Sequence, residues 1–123
     1  MKPFLRITAI LFLGLFILSS AGANAQILKT NLMVMVLDEL GNVQNGASVS
    51  IYENEEDYNA KENAVASNLL TDEKGRVKIK KLEEKEYYIS VEKGDKNNAG
   101  AGVKTGKLVT KKTNKVNIVI SGI

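Results

Sequence analysis

Apolar residues recur at every second position in several separate stretches of the chain. Leu32, Val34 and Val36 begin the series, and Ala47, Val49 and Ile51 continue it. Val77 and Ile79 come next, then Tyr87, Ile89 and Val91, and finally Val116, Ile118 and Ile120. This period of two predicts β-strands over residues 30–38, 47–52, 77–79, 87–92 and 115–120. Regular structure also resumes near Leu69, and a weaker strand is expected over 105–110. Seven short strands with frequent turn residues between them predict an all-β sandwich.

The connections carry turn chemistry. Between the first two strands, Gly41 and the pair Asn45-Gly46 tolerate positive φ. That connection is too long for a two-residue hairpin turn, which leaves a crossing to a second sheet open. Residues 71–75, TDEKG, form another turn. Residues 53–68 break the strand pattern. Asn54 can cap a short helix with Asp57 at the third position reaching back, and Ala60, Ala64 and Ala66 suit a helix. Asn59 and Asn63 do not, so a helical turn and a solvated loop both remain open.

The N-terminus differs. Arg6, with Lys2 before it, precedes an apolar run over residues 7–18, followed by Ala23-Asn24-Ala25. This is the pattern of a secretory signal peptide cleaved after residue 25; a spanning helix needs about 20 apolar residues. The expected mature domain is residues 26–123, without a transmembrane segment, and secreted or periplasmic. It would hold 98 of the 123 residues, one small domain. The sequence has no cysteine, so stability must come from apolar burial and sheet hydrogen bonds. Loss of Lys2 and Arg6 lowers the formal charge from +3 to +1, which gives no footing for a nucleic-acid partner. The charge is unevenly placed, however. Residues 53–62 hold five acids and one lysine, and residues 96–123 hold six lysines and no acid.

Three motifs now stand in order. Asp38, Gly41, Gly46-Ala47 and Val49 fit D-x-x-G-x-x-x-x-G-A-x-V. Thr71-Asp72 and Gly75 fit T-D-x-x-G. Leu82, Tyr87, Ile89 and Val91 fit L-x-x-x-x-Y-x-L-x-V. Together, over about residues 32–95, they resemble the carboxypeptidase regulatory-like domain, a transthyretin-like, immunoglobulin-like β-sandwich related in shape to the B-type repeats of bacterial adhesins. The chain departs from the family with Val43 where proline is common, and with Glu84-Lys85 in place of Pro-Gly. The resemblance implies architecture and an accessory, non-catalytic role, and little chemistry. The residues agree with an architectural role. Asp38 and Asp72 stand where short carboxylates accept backbone N–H bonds in turns, and Ala47 is small where the facing sheet approaches.

Candidate chemistry is sparse. Without histidine or cysteine there is no Ser-His-Asp or Cys-His nucleophile and no ordinary zinc site. The acids of 53–57 and 83–86 read as solvated, and a catalytic carboxyl needs a pocket to shift its pKa. Residues 101–108 miss the phosphate-loop pattern at both its first and last positions. Glu53, Glu55, Glu56 and Asp57, or Asp95, Asn97 and Asn98, offer hard oxygens without calcium-loop spacing. No cofactor or metal is expected. The adhesin likeness raises a Lys29–Asn117 isopeptide bond, but Asn117 lies off the apolar face of its strand. Tyr52, Tyr58 and Tyr88 are candidate exposed aromatics for a carbohydrate, and the C-terminal lysines either meet anionic polysaccharide or lipid head groups or guard sheet edges.

One feature points to a partner. If Leu32, Val34 and Val36 face the core, Met33, Met35 and Leu37 face outward. An apolar outward row needs a cover: residues 54–68, through Tyr58 and Val65, or another protein. The sequence therefore predicts a non-catalytic binding or assembly module of the cell envelope, with Met33, Met35 and Leu37 as its protein interface. The alternative is a carbohydrate-binding module.

Overall fold

The computed structural model describes residues 29–122. The predicted signal peptide and cleavage site lie outside that range. Eight strands and one short helix form two facing sheets: β1 Asn31–Asp38, β2 Ser48–Tyr52, α1 Glu55–Ala60, β3 Ala66–Leu70, β4 Arg76–Ile79, β5 Glu86–Lys93, β6 Lys96–Asn97, β7 Lys104–Lys107 and β8 Thr113–Ile120. The expectation of seven strands is corrected to eight. The additional strand, β6, is a two-residue strand inside what reads as a glycine-rich loop. It forms because Glu92 and Lys93 pair with Asn97 and Lys96 around a tight turn.

The smaller sheet has the order β4-β1-β8. The larger runs β3-β2-β5-β6, with β7 also on β5. β1 lies antiparallel to β4 and parallel to β8. The first and last strands of the domain are thus neighbours. The two sheets bury one continuous core. Leu32, Val34 and Val36 of β1, with Ile79, Ile118 and Ile120, face Val49 and Ile51 of β2 and Tyr87, Ile89 and Val91 of β5. The period-two reading holds at each of these residues.

The connection after β1 does cross between sheets, and two turns lock together to make the crossing. Asp38 Oδ1 accepts from the backbone N–H groups of Leu40 and Asn42, each at 2.9 Å. Asp72 Oδ1 accepts from Lys74 at 2.8 Å and Arg76 at 3.0 Å. Gly75 (φ +74°) sits where the two turns meet. A Cβ there would lie 2.9 Å from both the Val36 carbonyl oxygen and the Val43 Cβ. Thr71 ties the crossing to the second sheet: its hydroxyl donates to the Gln44 carbonyl (2.6 Å) and accepts from the Ala47 N–H (2.9 Å). The first two sequence motifs are therefore one joint, and Asp38, Thr71, Asp72 and Gly75 hold backbone there.

Residues 53–68 resolve into both alternatives. Asn54 Oδ1 accepts from the Asp57 N–H at 2.8 Å and starts α1. Lys61 closes the helix in the left-handed conformation (φ 58°), its N–H donating to the Asp57 and Tyr58 carbonyls. An irregular segment then leads into β3, an edge strand on β2.

Candidate functional site

Each sheet presents a distinctive outer face. On the smaller sheet, Met33, Met35 and Leu37 alternate with the core residues and are half-buried. Their neighbours across β4 are Lys78 and Arg76. Across β8 they are Lys115, Asn117 and Val119. The face is an apolar row, lengthened by Val119, with cationic side chains on both flanks. Leu37 bridges to Val43, which with Leu40 extends apolar surface beyond the strand; the two are 46% and 87% exposed. Arg76 Nε is buried and has no hydrogen-bond partner among the described residues. A depression of about 240 Å³ lies beside Met33, Arg76 and Lys78.

The expected internal cover is elsewhere. α1 packs against β2 and β5 of the larger sheet, so residues 54–68 do not reach the methionine row. Tyr58 rests on Tyr52 and Tyr88 instead, and Val65 is 43% exposed. The helix goes there because its one large apolar side chain, Tyr58, finds two aromatic rings on that face.

This placement changes the second surface. Ser48, Ser50 and Tyr52 alternate with the β2 core residues, yet Ser50 and Tyr52 are buried. α1 and the segment after it wall in this face and leave a cleft of about 490 Å³. Its floor is the cross-strand pair Ser50 and Ser90. Its walls include Lys61, Asn63, Asn68, Tyr52 and Glu92. Lys61 Nζ donates to Ser90 Oγ at 2.8 Å and lies 4.4 Å from the centre of the Tyr58 ring. Asn68 donates its backbone N–H to Ser50 Oγ (3.0 Å) and accepts from Ser48 Oγ (3.3 Å).

The three tyrosines do meet, but as a packed cluster. Tyr52 and Tyr58 are edge to face, 6.0 Å apart at 83°, and Tyr58 and Tyr88 are tilted by 38° at 6.1 Å. They form no flat platform. Burial pushes the Tyr58 phenol pKa up, and Tyr52 and Glu92 add to this.

The remaining candidates are scattered. Lys29 and Asn117 are both exposed. Asn117 stands opposite Met35 on β8, and Lys29 precedes the start of β1. Among the described residues no group of three or more acids, cysteines or histidines is placed to hold a metal ion. Asn98, one of the possible calcium ligands, is almost fully buried and spends its amide on the backbone of Val91, Ile89 and Gly102. No helix among the described residues is long and apolar enough to cross a membrane.

The sandwich is of the kind found in pilins. It aligns with the major pilin subunit of Bacillus cereus at a TM-score of 0.55 and 14% identity, over 75% of this chain and 28% of that one. It aligns with a streptococcal ancillary pilin at 0.56 and 16%, over 77% of this chain and 33% of that one. The chain therefore spans about a third or less of the pilins it matches. A candidate carbohydrate-binding protein of Pseudomonas aeruginosa matches over 76% of this chain and 90% of its own, at 17% identity and a TM-score of 0.41. No protein-family model and no curated protein sequence matches the chain.

Proposed function

We propose that this chain is an exported, non-catalytic assembly module, a carboxypeptidase regulatory-like sandwich that docks another protein of the cell envelope. Its docking surface is the outer face of the smaller sheet, through Met33, Met35 and Leu37. The observation that carries this reading is the apolar row itself. It crosses the middle of a three-stranded sheet, and no described element packs over it. Methionine adapts to irregular partner surfaces. Arg76, Lys78 and Lys115 beside the row favour a partner that pairs apolar side chains with carboxylates. The pilin likeness supports a role in assembly, since both of those proteins are pilins.

The test is Met35→Asp. The site is half-exposed, so the isolated protein should keep its melting temperature within a few degrees, as surface substitutions do. Association, read by sedimentation and by affinity capture from the envelope fraction, should be lost. A large drop in stability would mean that the row is covered internally. Unchanged association would end the interface reading. Export has its own measurement: intact mass of the exported protein should show the loss of 25 residues.

A further inference from the structure

We propose that the cleft on the larger sheet is a binding site for an acidic sugar, a saccharide ring carrying both hydroxyls and a carboxylate. This is independent of the docking surface, which lies on the opposite face of the sandwich.

Two hydroxyl protons at the cleft floor have no acceptor among the described residues. Ser50 and Ser90 stand directly opposite each other on β2 and β5, and both are more than nine-tenths buried. Each Oγ already accepts a hydrogen bond: Ser50 from the Asn68 N–H, Ser90 from Lys61 Nζ. A serine hydroxyl has one proton to donate. Among the described residues neither serine donates to a protein acceptor. Two fixed, buried hydroxyls at the cleft floor are thus left to serve an acceptor that comes from outside. Lys61 adds a third donor and a positive charge. Its ammonium has three protons, of which Ser90 takes one. The floor is donor-rich and cationic, the complement of a carboxylate.

Glu92 narrows the chemistry. It lines the same cleft two residues along β5 from Ser90, opposite Ser48. Its carboxylate only accepts, and it repels a bare anion such as phosphate. A ligand that suits both ends presents a carboxylate to Lys61 and the serines, and hydroxyls to Glu92. A neutral sugar leaves the Lys61 ammonium without an ion pair, since among the described residues no carboxylate lies within 4.0 Å of it. A peptide is disfavoured by the lining, since only Tyr52 and Ala64 offer apolar surface for its side chains. The walls are also built at a conformational cost. Lys61, Asn63 and Asn68 are all left-handed (φ 58°, 55° and 53°), and all three line the cleft. Such non-glycine positions persist only when the surroundings hold them.

The experiment is an amide NMR titration of the purified protein with sodium D-glucuronate, D-galacturonate and N-acetylneuraminate. D-glucose, D-galactose and sodium acetate run in parallel. At least one acidic sugar should give saturable shifts at Ser50, Lys61 and Ser90, with the neutral sugars and acetate at least about tenfold weaker. Lys61→Asn keeps a residue that tolerates the left-handed conformation and removes the ammonium. It should weaken binding about tenfold or more, while the melting temperature falls by no more than a few degrees for the lost contacts to Ser90 and Tyr58. Ser90→Ala should also weaken binding, as a second variant that keeps the ammonium and removes one hydroxyl donor. Equal binding of a neutral sugar, equal binding of acetate, or no saturable shift with any of the three acids overturns the proposal.

Discussion

Asn98 Oδ1 accepts a hydrogen bond from the Val91 backbone N–H at 3.0 Å, in the buried interior of the larger sheet. The same amide donates through Nδ2 to the Ile89 carbonyl (2.9 Å) and the Gly102 carbonyl (3.1 Å). β5 pairs with β7 at one end and β6 at the other. The Asn98 side chain fills the gap between them, taking the place of a strand. With 1% of its surface exposed, it has no access to water as a substitute partner.

Asn98→Ala therefore leaves buried backbone groups of β5 without partners. The expected loss is about 3 kcal/mol in urea melts. Asn98→Asp is isosteric and more informative. The new carboxyl would face two carbonyl oxygens in a dry site, which raises its folded pKa above the unfolded value of about 3.9. Its stability should be best below about pH 4 and fall as pH rises through the folded pKa. A pH-independent loss would mean that the site takes in water.

Gly75→Ala and Gly41→Ala separate backbone strain from close approach. Both glycines have positive φ, +74° and +87°. Only Gly75 has neighbours within reach of a Cβ, at 2.9 Å. Gly41→Ala should cost about 1 kcal/mol, the strain of the left-handed conformation alone. Gly75→Ala should cost at least about 2 kcal/mol more, because Val36 and Val43 must move apart and the joint between the two turns opens. Equal costs in chemical denaturation would show that the turns do not press on each other.

The same joint sets an acid limb. The Asn42 N–H, and after it the Leu40 N–H, hold the Asp38 carboxyl below its ordinary pKa. The Arg76 and Lys74 N–H groups do the same for Asp72. A carboxyl whose folded pKa is depressed contributes stability above its unfolded value, near pH 4, and loses it as pH falls through the folded one. Thermal melts between about pH 5 and 2 should show this loss. Asp38→Asn and Asp72→Asn should each flatten it, since the amide oxygen still accepts but carries no charge.

How far the sequence shows all this depends on what each residue faces. Leu32, Val34 and Val36 are legible because a facing sheet punishes any other register. Asp38, Gly41, Asp72 and Gly75 are legible because turns demand few residue types. Ser50 and Ser90 are legible only as outward positions. Periodicity assigns a face and does not say what lies over it, so the cleft is invisible without the path of residues 61–68. That path turns on Lys61, Asn63 and Asn68 in left-handed conformation, and lysine carries no signal for it. β3 is obscure for a related reason: its burial does not alternate, because it is an edge strand whose pairing with β2 shifts register between Val49 and Ile51. Asn98 reads as one more polar residue in a loop, and only the gap it fills reveals its role.

Tyr58 links the helix, the aromatic cluster and the cleft. α1 has no buried residues, so it is held mainly by Tyr58 against Tyr52 and Tyr88. Tyr58→Ala should cost about 1–2 kcal/mol, given two aromatic contacts. It should also speed hydrogen exchange across residues 55–60 while the β1 and β5 amides stay protected. Tyr58→Phe keeps the packing and removes the titrating group. Burial raises the Tyr58 pKa in the fold, so the neutral phenol is the folded form. Its contribution is present below the unfolded pKa of about 10 and lost as pH rises through the folded value. Melts between about pH 9 and 11 should therefore show an alkaline loss in the natural protein that Tyr58→Phe reduces. If Tyr58→Ala leaves exchange at 55–60 unchanged, the helix is anchored by Asn54 and Lys61 alone, and the cleft wall does not depend on the aromatic cluster.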